Sequence, residues 1–87
     1  MATKTKKEIA HERVYLTFPK NLIREPILSM LAKQFDVVFN IRGSTVTAEM
    51  GLVALELDGK QAEIDKAIGW LKGRGVIVEP IEKNVIE

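Results

Sequence analysis

Two side-chain periodicities succeed one another along this chain, and their order constrains the fold more than any single residue does. From Arg13 the sequence alternates strictly, with Val14, Leu16 and Phe18 on one side and Arg13, Tyr15 and Thr17 on the other, which reads as a strand. Pro19 stops it. Pro26 suits the first turn of a helix, where its missing N–H is not needed, and Glu25 beside it favours the positive end of that helix. Ile23, Ile27, Leu31 and Phe35 recur at four-residue spacing, so one face of the helix is apolar.

Asp36 breaks the helix and alternation resumes, with Val37, Phe39 and Ile41 facing one way and Val38, Asn40 and Arg42 the other. Gly43 interrupts this second strand, as an isolated glycine does at a bulge or a close backbone approach. Ser44 to Thr47 continue it, Glu49-Met50-Gly51 turn the chain, and Val53, Leu55 and Leu57 alternate in a third strand that completes a hairpin. Asp58-Gly59 then turns into a second helix with the stripe Ile64, Ala67, Ile68 and Leu71, ended by Gly73 or Gly75. Val76-Ile77-Val78, closed by Pro80, is the last strand.

An order of strand, helix, strand, strand, helix, strand has a preferred solution in two right-handed split crossover units. The expected fold is therefore α+β, a ferredoxin-like βαββαβ sandwich in which a four-stranded antiparallel sheet carries both helices on one face. Residues 11–80 form this domain, residues 1–10 a flexible basic arm and residues 81–87 a tail.

Composition narrows the chemistry. With 87 residues the chain holds one small domain, which on surface scaling buries only about 60–65% of its unfolded surface, so a partner subunit is an attractive way to hide more. The absence of cysteine excludes disulfides, thiolate zinc sites, cysteine-ligated iron–sulfur clusters and cysteine nucleophiles. Of the net charge of +1, Lys4, Lys6 and Lys7 against Glu8 make the arm basic, Glu82 and Glu87 against Lys83 make the tail acidic, and the body between them is neutral. A neutral body is a poor nucleic-acid binder. No apolar run is long enough for a signal peptide or a membrane span, so the expected location is cytoplasmic, without membrane insertion.

With the helices on one side, the opposite sheet face is open. Alternation assigns to it Tyr15, Thr17, Val38, Leu52, Ala54 and Ile77, together with Arg13, Asn40, Arg42, Glu56 and Glu79. A fully solvated face would be more charged, so this one reads as an interface or a ligand platform. An RNA-recognition sheet would carry several exposed aromatics, and only Tyr15 points out.

Catalytic groups are sparse. His11 is the single imidazole and reads as a solvated residue at a strand entrance next to Glu12. Ser29 and Ser44 lack a nucleophile context. Glu56 and Asp58 share a strand face but lack a third acidic partner for a hard cation, and Asp58 is explained by its turn with Gly59. Arg42-Gly43-Ser44-Thr45 holds one glycine rather than the spaced set of a phosphate loop, and Trp70 reads as a packing residue. The chain is expected not to be an enzyme, with no metal and no cofactor.

Phe39-Asn40-Ile41 followed by Gly43, with Glu25-Pro26-Ile27-Leu28 upstream and Gly75-Val76-Ile77-Val78-Glu79 downstream, resembles the NIL domain, named for an Asn-Ile-Leu signature. Leu16-Thr17-Phe18, the strand from Gly51-Leu52 to Leu57, Gly59, and Ala67-Ile68-Gly69-Trp70-Leu71 extend the resemblance over residues 13–79. Such domains are known at the C-terminus of the ATPase subunit of methionine ABC transporters, beside ferredoxin domains, or alone. The resemblance implies an ACT-like fold, a homodimer, and in transporter members methionine bound near the dimer interface to inhibit uptake. On this basis Asn40, Ile41, Arg42 and Gly43 are the candidate ligand-binding residues, and Tyr15, Thr17, Val38, Leu52, Ala54 and Ile77 the candidate dimer or partner face. Asn40 lies on the open face, where an amide both donates to a carboxylate and accepts from an ammonium. Arg42 stands where the signature has leucine, and it has three options: pairing a ligand carboxylate, pairing Glu56 across the hairpin, or pointing to water. The implied role is a non-catalytic regulatory domain sensing an amino acid such as methionine, working on a separate transporter ATPase or ferredoxin-type partner. The alternative is an adaptor that docks a protein through the same face and binds no small ligand.

Overall fold

The computed structural model describes residues 9–81; the body of the expected basic arm, residues 1–8, and the end of the tail, residues 82–87, lie outside the described residues. Strand β1 (Ile9–Pro19) leads through a 3-10 turn (Lys20–Leu22) into helix α1 (Ile27–Gln34), then β2 (Val37–Val46), β3 (Met50–Lys60), helix α2 (Gln61–Gly73) and β4 (Ile77–Pro80). The strands form one antiparallel sheet in the order β2-β3-β1-β4. This is the expected ferredoxin-like α+β fold, with both helices contributing to one core.

That core follows the alternation. Val14, Leu16 and Phe18 from β1 and Val53, Leu55 and Leu57 from β3 are buried against Ile27 and Leu31 of α1 and Ile64, Ala67 and Leu71 of α2. Phe35 and Trp70 close one side of the helix layer edge to face, with ring centroids 6.0 Å apart, and the Arg74 guanidinium lies 5.3 Å from the centre of the Trp70 ring. Trp70 is thus a packing residue, as its sequence context suggests.

Several local expectations are corrected. β1 begins at Ile9 rather than Arg13, because β3 is long enough to pair with it back to Ile9↔Lys60. Pro26 caps α1 instead of entering its first turn, and Ile23 sits half-buried ahead of the helix; the apolar anchor of that segment is Leu22. Glu25 is drawn away from the helix end into an ion pair with Arg74 at 3.0 Å. The β2–β3 turn comes earlier than expected, at Thr47–Glu49, because the Thr47 hydroxyl accepts the N–H groups of Glu49 and Met50, both at 3.1 Å. Asp58-Gly59 is no turn. Both residues lie in β3, and Gly59 is needed where β2 enters, since a Cβ there would sit 3.1 Å from the Asp36 carbonyl oxygen. Ile41 faces the helix side, opposite Leu55, yet remains 53% exposed, because β2 is an edge strand and the buried core gathers over β1 and β3. β4 runs Ile77–Pro80, and Val76 is buried just ahead of it.

Val76 is placed by the end of α2. Gly75 has φ 102°, its N–H donates to the Lys72 carbonyl (3.0 Å) and the Val76 N–H donates to the Leu71 carbonyl (3.0 Å). This left-handed cap satisfies the last carbonyls of the helix and brings Val76 and Leu71 together in the core. Gly69, in the same helix, has open space around a would-be Cβ. The two glycines therefore respond oppositely to alanine. Gly69→Ala raises stability by about 0.5–1 kcal/mol through helix propensity, whereas Gly75→Ala lowers it by about 1 kcal/mol through the left-handed backbone; urea titrations of the two variants against wild type check the opposed signs.

At the other end of α2, the Glu63 carboxylate accepts the Asp36 N–H (3.2 Å) and pairs with Lys66 (3.3 Å), fixing the helix start to the entrance of β2. The backbone hydrogen bond first, and Lys66 second, hold Glu63 below the usual carboxylate range. A folded-state value below the unfolded one contributes stability that is complete above the ordinary carboxylate range and is lost as pH falls through the lowered value. Glu63→Gln is therefore less stable than wild type at neutral pH, and the difference closes on acidification; thermal unfolding at pH 7 and at decreasing pH reads this convergence.

Candidate functional site

Residues opposite one another in neighbouring strands share a sheet face, so the register writes the open face as rows. Val38, Asp58 and His11 form the first, and Asn40, Glu56 and Arg13 the second. Gly43, Ala54, Tyr15 and Glu79 form the third, and Thr45, Leu52, Thr17 and Ile77 the fourth. Charged groups concentrate in the first two rows, with exposed Val38 among them, and exposed Tyr15, Leu52 and Ile77 fall in the last two, with Glu79 beside Tyr15.

A bulge breaks the rows at one place. Ile41 pairs with Leu55 and Gly43 with Ala54, leaving Arg42 as the extra residue, the interruption that Gly43 signals in the sequence. Arg42 reaches back across the hairpin and donates from Nη1 to Oε2 of Glu56 at 3.0 Å. Arg13 approaches the same oxygen from the other side, its Nε 3.2 Å away. Of the three options open to Arg42, the pairing with Glu56 is the one the structure contains. Glu56 is largely enclosed, with 22% of its side chain exposed, against 55% for Arg13 and 61% for Arg42.

Of the four candidate ligand residues, the structure brings Asn40, Arg42 and Gly43 to the open face and turns Ile41 to the other side. Asn40 stands opposite Glu56, and Gly43 lines a hollow of about 240 Å³ with Tyr15, Ser44, Thr45, Leu52 and Ala54. A second hollow of about 240 Å³ lies between Arg13, Tyr15, Arg42, Ala54, Leu55 and Ile81. The six candidate interface residues all lie on this face. Sequence reasoning left Arg13 and Glu56 out of the candidate set, although both were assigned outward; the signal that links them is the register, which alternation within one strand does not supply.

His11 has a partner that the sequence did not reveal, its Nδ1 lying 2.6 Å from Oδ1 of Asp58. The cavity beside it, about 410 Å³, is lined by His11, Glu12, Arg13, Glu56 and Asp58 and brings no hydroxyl nucleophile to the imidazole. Among the described residues no group of three or more His, Asp or Glu side chains is arranged to hold a metal ion, and no helix is long and apolar enough to cross a membrane. A further groove of about 240 Å³ lies on the helix side, where Val46 and Val53 meet Phe18, Ile23 and Ile27.

Comparison with known proteins gives the same outline. The methionine import ATP-binding protein MetN 1 of Listeria innocua is 36% identical over 62 residues, which cover 67% of this chain and 18% of that protein. The protein of that name from Bacillus anthracis is 35% identical over 72 residues, covering 78% of this chain and 21% of the relative. The chain spans about a fifth of the length of the curated relatives it matches. The C-terminal domain of an ABC transporter ATP-binding protein from Enterococcus faecalis superposes with a TM-score of 0.72 and 24% identity, over 83% of this chain and 84% of that one, a likeness of fold. The family model of the NIL domain matches residues 12–80, from β1 through β4, and the chain belongs to that family.

Proposed function

We propose that this chain is a non-catalytic regulatory domain that binds a free amino acid on its open sheet face around Asn40, with methionine the first ligand to test. The observation that carries the reading is the row Asn40, Glu56 and Arg13 with Arg42 folded onto it. An amide, a carboxylate and two guanidinium groups in one patch complement a zwitterion, since the cations attract its carboxylate and Glu56 attracts its ammonium. The adjoining hollow between Tyr15, Leu52 and Ala54 suits an aliphatic or thioether side chain. Relatives named as methionine import ATP-binding proteins support methionine and point to a transporter ATPase as the protein that the domain regulates.

The domain acts as a homodimer in the cytoplasm in this reading. Exposed Tyr15, Val38, Leu52 and Ile77 favour a covered face, and the same residues support the second reading, a module that docks a heterologous protein without a ligand. Sedimentation separates these two: self-association at micromolar concentration supports the dimer, and a monomer at all concentrations favours the heterologous partner.

A ligand that binds only the folded state at 100 times its Kd stabilises it by about 2.7 kcal/mol. Methionine is expected to raise the melting temperature of the wild-type chain and to have little effect on Asn40→Ala, whose exposed side chain leaves the fold intact. No thermal or calorimetric response to any of the twenty amino acids would sink the ligand reading and leave the docking module.

A further inference from the structure

The two edges of the sheet are built differently. β4 is short, carries Glu79 and closes on Pro80, devices that keep an edge from pairing. β2 lacks them over half its length. Val37-Val38-Phe39-Asn40-Ile41 contains no charge, proline or glycine, and among the described residues no strand lies on its outer side. The bulge comes only at Arg42, after this run. Val38 on the open face and Ile41 on the helix side are both exposed.

The segment is also complementary to itself. Laid antiparallel against a copy with Phe39 opposite Phe39, Val37 faces Ile41, Val38 faces Asn40 and Asp36 faces Arg42. Registers centred on Val38 or Asn40 set both charges opposite uncharged residues. Among the described residues, the charges around Asp36 already have partners: Glu63 pairs with Lys66, Asp58 with His11 and Arg42 with Glu56. Asp36 itself makes no ion pair among them, and neither does Lys60, the cation that the β3 register brings closest. Arg42 spends one N–H on Glu56, and a guanidinium with five N–H bonds can bridge to a second carboxylate.

We infer that β2 is a self-pairing edge, across which two copies of this chain join antiparallel over Val37–Ile41 into one continuous sheet, with an Asp36–Arg42 ion pair at each end of the seam. The inference rests on the homodimer read above and moves its contact from the sheet face to the sheet edge. Pairing satisfies the outward N–H and C=O groups of both strands. On the helix side, Ile41 of each copy meets Val37 of the other beside the central Phe39 rings, and directly opposed apolar pairs of this kind stabilise a ladder. The contact is isologous, so it closes on itself, and the protected β4 edges stop further growth.

The test is sedimentation equilibrium on the whole chain, using wild type, Asp36→Arg, Arg42→Asp, the double variant, Ile41→Lys and Ile77→Lys, with folding checked by circular dichroism. Wild type is expected to dimerise. Asp36→Arg and Arg42→Asp each weaken the dimer about tenfold, because like charges then meet at both ends of the seam, and the double variant, which restores opposite charges, returns to within about threefold of wild type. Ile41→Lys places a charge on the edge and abolishes the dimer, whereas Ile77→Lys, on the far edge of the open face, leaves it unchanged. A dimer insensitive to Ile41→Lys overturns the inference, as does a double variant that associates no better than the single ones. A dimer lost on Ile77→Lys and kept on Ile41→Lys is held by the face, which overturns the inference while the homodimer reading stands. A wild type that is monomeric at all concentrations overturns both and leaves the edge to a heterologous strand.

Discussion

Strands β1 and β3 run antiparallel in one register from Ile9 opposite Lys60 to Pro19 opposite Met50, and because side chains alternate across a sheet, that register decides which residues meet the helices. Val14 opposite Leu55 and Leu16 opposite Val53 supply the floor of the core. A slip of one residue would exchange this floor for Arg13, Tyr15, Ala54 and Glu56. The helices would then have little apolar surface to cover, so burial fixes the register, and the register in turn fixes the open face.

The helices are joined to this sheet by a few specific contacts as well as by packing. Glu63 takes the Asp36 N–H at one end of α2, and Gln61 donates to Glu12 of β1 at 3.0 Å and to Asp65 at 2.9 Å. At the other end the cap at Gly75 lets the chain reverse and still bury Val76 against Leu71. Arg74, one residue before that glycine, lies over Trp70 and pairs with Glu25, which ties the end of α2 to the approach to α1. The crossover geometry is therefore held at both ends of one helix.

These features differ in how well the sequence displays them. The apolar alternation of β1 and β3 and the stripe of α2 were legible, because burial imposes a period that each residue repeats. The turns were not. Asp58-Gly59 has the composition of a turn, but its glycine answers a steric demand from Asp36 and Val37, far away in sequence. Thr47 carries none of the usual turn signals, and it closes the hairpin through its hydroxyl. In the site, Asn40 and the outward positions of Arg13, Arg42 and Glu56 followed from alternation. The meeting of both arginines on one carboxylate oxygen did not, because it depends on how three strands are aligned.

The bulge at Arg42 shows how a single extra residue changes two faces at once. Alternation continued from Val37 would turn Val46 outward and seat Arg42 opposite Ala54. With one residue looped out, Gly43 takes the place opposite Ala54 and Val46 comes opposite Gly51 on the helix side, where it lines the groove beside Phe18 and Ile27. Arg42, released from the ladder, turns to Glu56 in the preceding row. The same irregularity therefore gives the hairpin an apolar underside and turns a guanidinium that alternation already places on the open face from the Ala54 row to Glu56.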